Sequence, residues 1–62
     1  MERDAARVAR VFARAPWAVM GLRDVARAAL MSRWRAQRAL RLLVRRGWVR
    51  PLGGGVFGWV AA

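Results

Sequence analysis

Apolar residues recur at helical spacing over the first fifteen positions. Ala5, Val8, Phe12 and Ala15 fall on one face, while Arg3, Arg7, Arg10 and Arg14 keep the same period on the opposite one. This predicts an amphipathic helix over about residues 2–15. Glu2 and Asp4 sit in its first turn, where negative charge suits the positive end of the helix dipole. Pro16 ends it, because the residue before a proline is pushed out of the α region. The apolar run Trp17-Ala18-Val19-Met20 fits either a short strand or a buried connection. Gly21 then opens a second helix, about residues 22–29, with Leu22, Val25, Ala26 and Ala29 on one face. Asp24, three residues past Gly21, is placed to accept from the exposed amides of that first turn.

Ser32 is the one hydroxyl-bearing residue of the chain, and it stands where a third helix needs its N-cap. Residues 33–46 carry Ala36, Ala39, Leu40, Leu43 and Val44 on one face. Gly47 supplies the preferred C-terminal stop, and Arg45 and Arg46 suit the negative end of the dipole. The tail, about residues 48–60, reads as a β-hairpin: Trp48-Val49-Arg50-Pro51-Leu52 and Val56-Phe57-Gly58-Trp59-Val60 flank a Gly53-Gly54-Gly55 turn, with the proline on an edge strand. The fold class is therefore mainly α with a small β-hairpin.

With 62 residues there is room for one domain. A chain of that size buries only about 60% of its unfolded surface, so its core is thin. The large aromatics Trp17, Trp48 and Trp59 are expected to fill it. Cysteine and histidine are both absent, which removes disulfides and the usual zinc ligand sets. The chain also lacks lysine and tyrosine, and its lone serine has no base to activate it, so no enzyme and no cofactor are implied. Glu2, Asp4 and Asp24 are too scattered for a carboxylate site, and no small-molecule pocket is evident. No apolar run reaches the ~18 residues that span a bilayer, and the N-terminus does not read as a signal peptide. No membrane association and a cytoplasmic, nucleoid-associated location are expected.

Charge changes the picture most. Thirteen basic residues stand against three acidic ones, a net +10, and every basic residue is arginine. A GC-rich genome accounts for arginine in place of lysine, but not for so lopsided a balance. The guanidinium fork matches phosphate oxygens and guanine edges, and a field this positive attracts polyanions.

Two helices joined by a short turn, the second the longer, preceded by a helix and followed by a hairpin, resemble a winged helix-turn-helix domain of the prokaryotic transcription-regulator type. The segment Gly21-Leu22-Arg23-Asp24-Val25-Ala26 through Leu30-Met31-Ser32 is similar to that family's second helix and turn. The stretch from Ala36 to Val49 is similar to its recognition helix running into the wing. Leu30 stands where many members carry glycine, and Gly21 where a capping serine or threonine is common.

The resemblance implies double-stranded DNA as partner, with the third helix in the major groove, in a small transcriptional regulator or a DNA-organising protein. Carried onto this chain, Arg33, Trp34, Arg35, Gln37, Arg38 and Arg41 face outward, with Arg38 and Gln37 the expected base readers. Ser32 and the helix-start amides suit a phosphate, and Arg50 at the strand base is the wing's one cation. The arginines of the first helix, with Arg23 and Arg27, can add phosphate contacts. A homodimer suits palindromic sites, although no separate dimerisation helix is present.

Any single arginine can equally belong to an ordinary solvated face. Trp34 can meet DNA, meet a partner or fold back over the core. Leu42 lies off the core face, which suits a dimer contact or packing under the first helix. The rival function is a winged-helix protein-interaction module that uses exposed Trp34 and Leu42. A membrane-active cationic helix is a third reading, opposed by the cap, turn and hairpin that such a peptide does not need. RNA recognition would call for an exposed aromatic sheet, which the sequence does not suggest.

Overall fold

Six elements follow one another in the computed structural model, which describes residues 2–60. They are α1 (Arg3–Arg14), β1 (Val19–Gly21), α2 (Leu22–Ala29), α3 (Arg33–Arg45), β2 (Val49–Gly53) and β3 (Val56–Trp59). The layout is that of a winged helix-turn-helix. Each helix sits within one residue of its predicted span. Met1, Ala61 and Ala62, part of the expected 1–62 domain, lie outside the described residues.

The helix ends follow from local chemistry. Glu2 caps α1, its side chain accepting from the Asp4 amide at 2.7 Å. The Ser32 hydroxyl accepts from the Arg35 amide at 3.2 Å and starts α3. Asp24 accepts from the Gly21 amide at 3.2 Å. Gly21 has no side chain to return the bond, so α2 has half of a capping pair.

The far ends of α2 and α3 close with the same two-bond motif. The Gly47 and Trp48 amides donate to Val44 and Leu43, both at 3.0 Å, and the Leu30 and Met31 amides donate to Arg27 at 3.2 Å and Ala26 at 3.0 Å. That ring puts its pivot residue in the left-handed region. Gly47 takes φ 79° without a Cβ to object, whereas Leu30 takes φ 56° with one. A non-glycine residue there costs about 1–2 kcal/mol. Leu30 therefore closes its turn at a conformational cost that Gly47 does not incur.

The apolar run after α1 resolves as a strand, and the hairpin becomes a three-stranded antiparallel sheet in the order β1-β3-β2. Met20 pairs with Phe57 and Gly21 with Val56 on one side of β3. Val49 pairs with Trp59 and Pro51 with Phe57 on the other, with a bulge between Pro51 and Gly53. Gly53, Gly54 and Gly55 all have positive φ, so the reversal between β2 and β3 is a turn that side-chain-bearing residues would strain.

The core is assembled from α1, α2, α3 and Val49. Half of its twelve buried residues are alanines (Ala5, Ala9, Ala26, Ala29, Ala36 and Ala39), and the large fully buried side chains are Phe12, Leu40, Leu43, Val8, Val25 and Val49. Fully burying one of the larger groups contributes about 1.5–3 kcal/mol. Trp59 joins sheet to helices by stacking on Phe12, with ring centroids 6.1 Å apart and planes 12° from parallel.

The expected tryptophan core is corrected here. Trp59 is half-buried, but Trp48 meets it edge-on at 6.2 Å and stays on the surface, and Trp17 is 80% exposed in the turn before β1. The physical reason is the alanine interior: small residues facing one another between three short helices leave no space for a second and third indole. Both exposed indoles lie outside the strands, and the aromatics on the sheet itself, Phe57 and Trp59, are half-buried.

Candidate nucleic-acid interface

All thirteen arginines are on the surface. On α3 the inward face is Ala36, Ala39, Leu40 and Leu43, each buried. The helical period therefore turns Arg33, Trp34, Gln37, Arg38, Arg41 and Arg45 away from the core. Ser32, Arg35 and Arg50 are exposed as well. No acidic residue stands in the first turn of α3, so the positive end of its dipole is not neutralised from within that turn.

Two of these residues are already engaged. Arg35 grips Asp4 of α1 through two parallel bonds, Nε to Oδ2 at 2.9 Å and Nη2 to Oδ1 at 2.6 Å. This fork-to-fork pairing is the strong form of a carboxylate–guanidinium contact. It holds the Asp4 carboxyl below its ordinary range, chiefly through the Arg35 hydrogen bond, with smaller help from the charges of Arg7 and Arg38. The same contact raises Arg35. Arg35, expected among the outward-facing residues of α3, is exposed and at the same time clasps α3 to α1. The sequence offered no signal for the pairing, because its partners are 31 residues apart. It is the one ion pair among the described residues.

Arg38 is engaged differently. Its guanidinium carbon lies 4.9 Å from the centre of the Trp34 ring, one helical turn back, in a cation–π contact. Trp34 is 65% exposed, which removes the option that it folds over the core. The contact limits the Arg38 rotamers without neutralising the charge, so the side chain is presented already partly ordered.

Leu42 departs from its expectation too. It is half-buried against the core cluster rather than exposed. It also lines a groove of about 740 Å³ between α3 and the hairpin, together with Leu22, Leu40, Val44, Pro51 and Phe57. Gln37, Arg38, Arg41 and Arg45 stand along the same groove. No local pattern announces this concavity, because it forms between segments that are not neighbours in the chain.

The arrangement offers hydrogen-bond donors and positive charge along the exposed face of a helix whose other face is packed in the core. Among the described residues no group of acidic side chains could hold a metal ion, and no helix is long and apolar enough to cross a membrane. Comparisons with protein-family models, with curated proteins and with solved structures find no match.

Proposed function

We propose that this chain binds double-stranded DNA, laying α3 in the major groove, as a small transcriptional regulator or a DNA-organising protein. The observation that supports this most is the outward face of α3. It carries Arg33, Gln37, Arg38, Arg41 and Arg45, all exposed, and the single ion pair among the described residues takes only Arg35 out of the set. An ordinary solvated surface interleaves acids to make such pairs. This one does not.

In this reading Arg38 and Gln37 meet base edges, since an arginine can bond guanine through two parallel bonds and a glutamine can do the same for adenine. Arg33 and Arg41 flank them, and Ser32 with the first amides of α3 meets a phosphate. Arg50 reaches the backbone from the hairpin, and Arg23, Arg27 and the arginines of α1 add phosphate contacts. Arg35 braces α3 against α1 through its two bonds to Asp4.

Gel retardation of random duplex DNA tests the proposal. Engagement of about six to eight phosphates lowers affinity roughly a thousandfold or more between 50 and 200 mM salt. No retardation at the lower salt overturns it. Selection of bound duplexes from a random pool then reports sequence preference and half-site symmetry, and with it whether one copy or a symmetric pair engages. The exposed indole of Trp34 favours a second reading, a protein-interaction module, which gains if duplex DNA is ignored and Trp34→Ala abolishes capture of a protein partner.

A further inference from the structure

The groove between α3 and the hairpin combines two features that DNA phosphates alone do not call for. Its floor is apolar: Leu22, Leu40, Leu42, Val44, Pro51 and Phe57. Its charged lining is all of one sign, Arg38, Arg41 and Arg45, with no carboxylate among the lining residues. A volume of about 740 Å³ lies inside the range of about 300–1,000 Å³ for small-molecule sites, which are mostly apolar with a few placed polar groups. Along α3 the lining runs from Gln37 to Arg45, a distance of about 12 Å at 1.5 Å per residue.

The geometry points to a binding site for a small amphipathic anion, an aromatic or alkyl body bearing one carboxylate or sulfonate. The body lies on the leucine, valine and phenylalanine floor, and the acid group bonds the guanidinium rim, where paired N–H donors match two oxygens. Apolar surface and cationic rim are each satisfied by one half of such a molecule. A neutral hydrophobe leaves the rim unpaired, and inorganic phosphate leaves the floor wet. A second copy of this chain is disfavoured at this groove, because it brings another +10 and no acidic complement.

The site shares Gln37, Arg38, Arg41 and Arg45 with the proposed DNA face. Resting on that proposal, occupancy of the groove and binding of duplex DNA exclude each other. The anion then acts as an effector that releases DNA by taking its arginines directly. Two states that draw differently on the same side chains suffice for such coupling.

Anilinonaphthalene sulfonate, an aromatic body with a single anionic group, is the probe. Titrated into the folded protein and followed by fluorescence, it is expected to bind one-to-one. Arg45→Gln and Leu42→Gln are each expected to weaken binding about tenfold, the size of one lost ionic or apolar anchor. Arg3→Gln removes the same charge on α1 and is expected to leave binding unchanged. Uncharged N-phenylnaphthylamine is expected to bind about tenfold more weakly than the sulfonate. Circular dichroism establishes that each variant is folded, and Arg45→Gln, altered only at an exposed tip, keeps the test valid if Leu42→Gln unfolds. Equal loss in Arg3→Gln and Arg45→Gln, no preference for the charged probe, or no binding at all overturns the site. An acidic amphipathic peptide that binds the groove while the probe does not overturns it too.

The DNA arm is read separately. Release of a labelled duplex at probe concentrations that fill the groove supports the effector role, and simultaneous binding of both overturns that role while leaving the site. Probe binding in a protein that never retards DNA overturns the DNA proposal alone.

Discussion

The two faces of α3 are built to opposite rules. The inward face, Ala36, Ala39, Leu40 and Leu43, has almost no contact with water, and its side chains carry no polar atom. The outward face carries arginine after arginine with a tryptophan among them, all in solvent. One helix thus separates two jobs: the inner side supplies four of the twelve core residues, and the outer side is free to be chosen for a partner. What ties the faces together is small. It consists of the Arg35–Asp4 clasp, which reaches from the outer edge of α3 to α1, and the turn at Leu30 that sets the approach from α2.

Four variants break or sharpen this division. The largest effect is expected from Leu43→Ala on the inner face. Leu43 is fully buried, and removing it costs about 3–5 kcal/mol. That is comparable to the whole stability of a domain this small, at about 0.05–0.15 kcal/mol per residue. Denaturant titration should find the protein largely unfolded at room temperature. A loss under about 1 kcal/mol would mean that the alanine-rich interior collapses into the gap, contrary to its close packing.

Next comes Arg38→Ala with Arg41→Ala on the outer face. Duplex affinity is expected to fall by about 1–3 kcal/mol for each side chain that reads a base, and the salt dependence to shallow by about one contact for each that meets a phosphate. Thermal stability should move by less than about 0.5 kcal/mol. A large stability change with unaltered binding would invert the assignment of the two faces.

Leu30→Gly is expected to stabilise. It removes the left-handed strain of about 1–2 kcal/mol, offset in part by the greater chain entropy of glycine when unfolded, and Leu30 gives up little burial at 81% exposure. A net gain of about 0.5–1 kcal/mol with unchanged DNA affinity would show that stability and binding move independently. A loss would mean that the chain entropy added by glycine outweighs the strain relieved at the turn.

Asp4→Asn should have the smallest effect, and it tests the tie itself. The substitution frees Arg35 and removes a negative charge, so duplex affinity should rise a few-fold at low salt, with a salt slope steeper by up to about 0.9. Acid probes the same contact without mutation. The Asp4 carboxyl is held below its ordinary range when folded, so its stabilising share is present above the unfolded value and is lost as pH falls through the lower, folded one. Melting in acid should therefore show a small loss that Asp4→Asn no longer shows.

Much of the scaffold was legible because its signals are local. Ser32 and Gly47 mark the two ends of α3 through bonds to amides and carbonyls within four residues, and the alternation of arginine with apolar residues fixes which side of α1 and α3 turns inward. The triple glycine locates the hairpin turn for the same reason. Trp17 shows where such reading stops. Its size argues for burial in general, but whether an indole fits depends on the space between helices, and alanines set that space. Arg35 teaches the same lesson for the site: its spacing puts it among the outward cations, and only the crossing of α1 over α3 reveals that Asp4 holds it.

The order of residues alone determined the helices, their caps, the hairpin and the excess of positive charge, because each depends on neighbours a few positions apart or on simple counting. The tertiary structure decided that Val19–Gly21 joins the sheet, that two indoles stay in water, that Arg35 is clasped, and that an apolar groove opens beside Arg38, Arg41 and Arg45. Each of these depends on distances between segments remote in the chain. Such distances are fixed only when the side chains of all three helices have packed at once.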